Sequence, residues 1–226
     1  MHQNKSKKIL IYFFVLILLG SINSLNLPDF DLNKKNFIKV SGLNETEKLS
    51  FIEEIQNLNL GSIFFINKNK FNEIIFKNSL VESYKISKIY PFTLVVTVNK
   101  TNFLAKINKE GKILIIGSNG KFIEDNYNNK DLPFIFGKPK IQKFLEFKKI
   151  LDGSKISLNE IKNIYFFQSK RWDIELKNNI VLKLPRENIK DSLNNAFKIL
   201  NDKNFKDLKI IDFRVSNQII INGWRV

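Results

Sequence analysis

Apolar residues first appear as an unbroken run, Ile9 to Leu19, directly behind Lys5, Lys7 and Lys8. Gly20, Ser21 and Ile22 extend it, and Leu25 and Leu27 follow. A membrane-spanning helix needs about 20 mostly apolar residues. The stretch 9–27 meets that by including Asn23, Ser24 and Asn26, and it predicts a single anchor behind a basic tail, 1–8. The other reading is a signal peptide with a small-residue cleavage site between Ser21 and Ser24. In either case the positive flank stays in the cytoplasm and the rest of the chain is exported, so Lys5, Lys7 and Lys8 set the topology. Residues 28–36, PDFDLNKKN, read as a polar linker.

Beyond the linker the spacing alternates between helical and extended. Phe37–Val40 predicts a short strand and Gly42 a turn. Asn44 with Glu47 fits a capping box, and Leu49, Ile52 and Ile55 then recur at helical spacing up to a stop at Gly61. A second short helix spans about Lys70 to Asn78, with Phe71, Ile74 and Ile75 inward. In VESYKISKIYPFTLVVTVNK the period drops to two, giving two strands broken at Tyr90-Pro91. Phe92, Leu94, Val96 and Val98 share one face of the second. Residues 37–103 thus form a strand–helix–helix–strand–strand module.

Residues 104–226 are richer in strands. A hairpin turns at Glu110-Gly111, and Asn119-Gly120 makes another tight turn. LPFIFGKP reads as a loop with an apolar insert. Ile141, Phe144, Leu145 and Leu151 mark an amphipathic helix. IYFFQSKRWDIELKNNIVLKL reads as three strands, the last two joined at Asn178-Asn179. Trp172, Ile174 and Leu176 alternate with Arg171, Asp173 and Glu175, which makes Trp172 a core residue and Arg171 a strand-edge charge, or both an interface pair. A helix after Pro185 carries Ile189, Leu193, Phe197 and Leu200 on one face, and two strands close the chain. The fold class is α+β.

The closing segment, IIDFRVSNQIIINGWRV, carries the candidate binding chemistry. Ile219, Ile220 and Ile221 form an apolar strand at a sheet edge, where unpaired backbone groups invite another strand. Arg214 and Trp224 flank it, and both are residue types favoured as interface anchors.

Composition removes several function classes. The chain has no Cys, and its one His is His2, so thiolate chemistry, His-based triads and Cys/His metal sites are excluded. No phosphate-binding glycine loop is present, because GSNG lacks the following Lys-Ser/Thr. No catalytic, cofactor or metal-ligating set emerges. The net charge of +15 suggests nucleic acid or an anionic surface, but the cations are nearly all Lys. Arg occurs only at 171, 186, 214 and 225, which suits compositional drift better than base recognition. The exported topology argues against nucleic acid.

FIKVSGLNET, LVESYKISKIYPFTLVVTV, SNGKFI with LPFIFG, KRWDIELKNNIVLKLP and IIDFRVSNQIIINGW together resemble the FtsQ/DivIB family over nearly the whole chain. The chain departs from the family pattern at Asn99, Lys100 and Asn102, where Glu-Arg and Pro are usual. The resemblance implies a POTRA domain over 37–103 and a β domain over 104–226. It implies a non-enzymatic inner-membrane scaffold of the division septum, with its domains periplasmic. The POTRA domain would serve localisation and upstream divisome partners. FtsB-like and FtsL-like coiled-coil proteins would bind by β-augmentation at Arg214, Val215, Ile219, Ile220, Ile221 and Trp224. Val215 stands where many relatives have Tyr. The alternative is a soluble periplasmic or secreted POTRA-containing chaperone or outer-membrane assembly factor.

Overall fold

The computed structural model describes residues 3–21, 37–57, 68–90, 92–125, 131–205, 207–215 and 218–222. The chain divides into two units, Met1–Asn36 and Phe37–Val226.

The first unit holds helix α1 (Gln3–Ser21). Lys7 and Lys8 are exposed on it, as is every residue from Ile9 to Ser21. No helix among the described residues is long and apolar enough to cross a membrane. From Ile9 to Ser21 the helix rises about 20 Å, against about 30 Å of bilayer hydrocarbon. Residues 22–27 of the expected anchor lie outside the described residues, as does the side chain of Lys5.

The second unit opens with strand β1 (Phe37–Ser41), then helices α2 (Glu45–Gln56) and α3 (Lys68–Lys77), then strands β2 (Val81–Ile89) and β3 (Thr93–Lys100). The sheet order is β1-β3-β2, with β1 parallel and β2 antiparallel to β3. Gly42 makes the turn into α2 with φ +93°, and a Cβ there would overlap the Val98 carbonyl oxygen. The capping box forms as the spacing predicts: Glu47 N–H donates to Asn44 Oδ1 and Asn44 N–H to Glu47 Oε2.

Sequence spacing misassigned one face. Leu49 is exposed at 67%, while Phe51 and Ile55 are fully buried. The buried stripe runs Glu47–Phe51–Ile55 at i, i+4 spacing, and Leu49 sits two residues off it. Glu47 joins this stripe because Lys100 Nζ reaches its carboxylate at 2.5 Å. Phe71 and Ile75 of α3 meet Leu94, Val96 and Val98 in the same core. Burial of Ile74 and the expected stop at Gly61 lie outside the described residues.

Two residues later a second sheet begins. Its strands are β4 (Phe103–Lys109), β5 (Lys112–Gly117), β6 (Phe122–Glu124), β7 (Phe134–Phe136), β8 (Ile161–Phe166), β9 (Trp172–Leu176), β10 (Val181–Lys183), β11 (Ile210–Asp212) and β12 (Ile220–Asn222). They pair in the order β12-β11-β10-β9-β8-β7-β4-β5-β6. The FIF segment, expected as a loop insert, is instead the interior strand β7, parallel to both β4 and β8. Three residues are too few to display alternation, and a parallel strand needs none. Helices α4 (Ile141–Asp152) and α5 (Ile189–Leu200) provide the crossovers β7-α4-β8 and β10-α5-β11. Phe144, Phe147 and Leu151 of α4 and Leu193 and Ala196 of α5 pack on Ile164, Ile174, Leu182 and Ile211.

Trp172 lies in this core at 4% exposure. Its ring stacks on Phe147 at 4.6 Å and 11°, with Phe166 also at 4.6 Å and Phe144 at 6.5 Å.

Candidate partner-binding edge

Strand β12 ends the sheet. It pairs with β11 through Ile210↔Asn222, Ile211↔Ile221 and Asp212↔Ile220. Among the described residues no strand takes its outer side. The register sorts the isoleucines. Ile221 faces the helices and packs against the core, while Ile220 points to the opposite face and is 50% exposed. Ile219 and Val215 are exposed as well. The structure therefore leaves Val215, Ile219 and Ile220 exposed at this edge and sends Ile221 inward. Trp224 lies outside the described residues.

Arg214 is already engaged. Its Nε donates to both carboxylate oxygens of Asp212 at 2.8 Å, and its backbone N–H donates to Asp212 Oδ1 at 3.0 Å. These hydrogen bonds from Arg214, acting against partial burial, hold the Asp212 carboxyl below its ordinary range. In turn, Asp212 raises the Arg214 guanidinium.

The ion pair belongs to a row of charges across the sheet face opposite the helices. Lys183 pairs in register with Asp212 on one side and Asp173 on the other. Arg171 Nε lies 3.6 Å from Asp173, beyond hydrogen-bond reach, and its guanidinium sits over the Phe167 ring at 5.1 Å. Burial pushes the Asp173 carboxyl up; Arg171 and the Leu184 N–H oppose the shift. Arg171 and Trp172 thus point to opposite faces of β9, Arg171 to this charged row and Trp172 to the core.

Beside the edge, a cleft of about 640 Å³ runs between the start of α5 and the end of β11. Arg186, Asn188, Ser192, Phe213, Arg214, Val215 and Ile219 line it. Sequence reasoning missed the α5 side of this cleft. Its one legible signal is Asn188, which takes φ +57° at the helix cap, a conformation Asn tolerates. Among the described residues no cluster of His, Cys, Asp or Glu could hold a metal ion.

Comparison with known proteins matches residues 98–214 to the family described as "Cell division protein FtsQ/DivIB, C-terminal". Residues 36–100 match "POTRA domain, FtsQ-type". The longer match separates the chain from proteins that share only the first module. A cell division protein FtsQ of Bradyrhizobium diazoefficiens is 20% identical over 71% of this chain. The chain spans only about half that relative's length, 48%. A cell division protein DivIB of Clostridium tetani is 29% identical over 74% of this chain and 69% of its own length. The solved extracytoplasmic domain of DivIB from Geobacillus stearothermophilus aligns over 47% of this chain and 98% of its own, with 15% identity and a TM-score of 0.34.

Proposed function

Because the chain belongs to the FtsQ/DivIB family, non-enzymatic membrane proteins of the cell-division site, we propose that it is a septal scaffold that captures a coiled-coil divisome partner by β-augmentation at β12. The partner's strand adds to the outer side of β12, where backbone hydrogen bonds supply affinity and side-chain pockets supply specificity. Ile220 and Ile219 take the apolar contacts, Val215 and Arg214 border the cleft beside them, and Trp224 adds a further anchor. The FtsB-like and FtsL-like coiled-coil proteins that the family resemblance implies are the proposed partners. Other divisome proteins bind the POTRA domain. In this reading residues 9–27 anchor the chain in the inner membrane, with Lys5, Lys7 and Lys8 cytoplasmic and the domains periplasmic.

The observation that carries the proposal is that no strand among the described residues pairs with the outer side of β12, with Ile220 half exposed beside it. Ile220→Lys places a charge on that edge without entering the core. Pulldown of the coiled-coil partner from crosslinked membranes should be lost while circular dichroism stays native. Undiminished pulldown by a natively folded variant refutes the assignment.

A further inference from the structure

The two sheets of the second unit meet at a small polar joint. Only Thr101 and Asn102 separate β3 from β4. A link that short limits the relative rotation of the sheets but leaves several backbone torsions to define it. What defines it is one turn of the second sheet, Ser118–Lys121, inserted against one turn of the first, Phe76–Glu82.

The contacts run in one sense: the second sheet donates and the first accepts. Asn119 Nδ2 donates to the carbonyl oxygens of Ser79 and Val81, at 2.9 and 3.0 Å. Lys121 Nζ donates to the carbonyl of Asn78 at 3.1 Å and to that of Phe76, and its ammonium lies 5.9 Å from the Phe76 ring centroid. Those two carbonyls close the C-terminal end of α3, where the helix dipole is negative and a cation is stabilised. Ser118 Oγ donates to Glu82 Oε2 at 2.8 Å, and the connecting Thr101 hydroxyl donates to the same oxygen at 3.0 Å.

The socket is tight. Thr101 is 3% exposed. A Cβ on Gly117 would lie 2.7 Å from Asn119 Oδ1 and 2.8 Å from Thr101 Oγ1, so only glycine fits behind the clasp. Asn119 is also held from its own side, since its Oδ1 accepts the Lys121 N–H at 3.0 Å. Its two donors are therefore aimed at the first sheet before contact, which keeps the ordering cost low.

We infer that the Ser118–Lys121 turn is a lock between the POTRA module and the strand-rich domain, with Asn119 and Lys121 as its positioning residues. The two domains then move as one rigid body. A protein held by the POTRA module and one held elsewhere on the second sheet are kept at a fixed spacing and angle. The inference does not depend on which partner occupies β12.

The chain has no native Cys, so two introduced cysteines carry two spin labels and nothing else does. Ser87→Cys on β2 and Lys149→Cys on α4, both exposed sites, put one label on each domain. The full-length chain in lipid nanodiscs should give one narrow inter-label distance by pulsed electron resonance. Asn119→Asp keeps the acceptor for Lys121 N–H but replaces both donors with a carboxylate facing two carbonyls. Lys121→Met keeps the stem and loses the charge. Each should broaden the distribution severalfold while circular dichroism stays native. If Asn119→Asp fails to fold, Lys121→Met decides alone, because the backbone bonds of its turn are untouched. A broad distribution in the wild type, or one that stays narrow in the folded variants, overturns the inference. Partner pulldown is scored separately on the same samples, so failure of the lock and failure of the β12 assignment remain distinct.

Discussion

Replacing Trp172 by Ala removes the largest side chain in the second core. Trp172 is 4% exposed and touches three aromatic rings, two of them at 4.6 Å. Large-to-small aromatic substitutions in such sites cost about 3–5 kcal/mol, because the lost transfer energy is joined by a cavity the neighbours cannot fill. Here the neighbours are held on separate elements, Phe144 and Phe147 on α4 and Phe166 on β8, so collapse is hindered. Against a typical stability of about 5–15 kcal/mol that is a large fraction. For a domain of this size it corresponds to a fall of roughly 6–20 °C in melting temperature. Urea unfolding followed by far-ultraviolet circular dichroism measures it, with Trp172→Phe as a milder comparison. The strand β9 lies three spacings from β12, about 14 Å, so any protein that remains folded should still capture the partner proposed for β12. A loss below about 1 kcal/mol, the scale of an ordinary substitution, would refute the reasoning. So would a fully stable variant that fails only in pulldown, which would make Trp172 an interface residue.

Two further predictions concern charge and backbone. The Asp212 carboxyl has a folded-state pKa below its unfolded value, so it stabilises the fold above an ordinary carboxylate pKa near about 4 and loses that contribution as pH falls through the folded value. Asp212→Asn should therefore melt below the wild type at neutral pH, with the gap closing as the solution is acidified; parallel melting curves across the range would contradict this. Gly42→Ala forces a side chain into φ +93° and onto the Val98 carbonyl, and should cost at least the roughly 1–3 kcal/mol of a strained backbone, read as a lower urea midpoint.

Much of this fold was legible from local chemistry. The capping box at Asn44, the positive-φ turns at Glu110-Gly111 and Asn179, and the two-residue period of β3 each follow from side-chain or backbone preferences within a few residues. What escaped depended on distant partners. Strand β7 is a strand because β4 and β8 flank it, and nothing inside FIF says so. Leu49 carries the right residue type at a plausible spacing, yet a three-turn helix has room for one stripe, and Phe51 took it. At the candidate site, the sequence marked the terminal apolar strand but could not divide it. Only the pairing with β11 puts Ile221 inside and Ile220 outside. The α5 wall of the adjacent cleft comes from residues about 30 positions upstream, brought in by a parallel crossover that requires this separation.

The Arg214–Asp212 pair bears on what binding costs. A free arginine side chain carries about 2 kcal/mol of rotamer entropy, and an interface that uses one ordinarily forfeits much of it on association. Here the guanidinium is fixed by Asp212 within the same strand segment, while 39% of the side chain stays open to solvent. Its disorder has been surrendered at folding. A partner docking at this edge as proposed would meet a planar cation already oriented, and the association step would start with that entropy loss behind it.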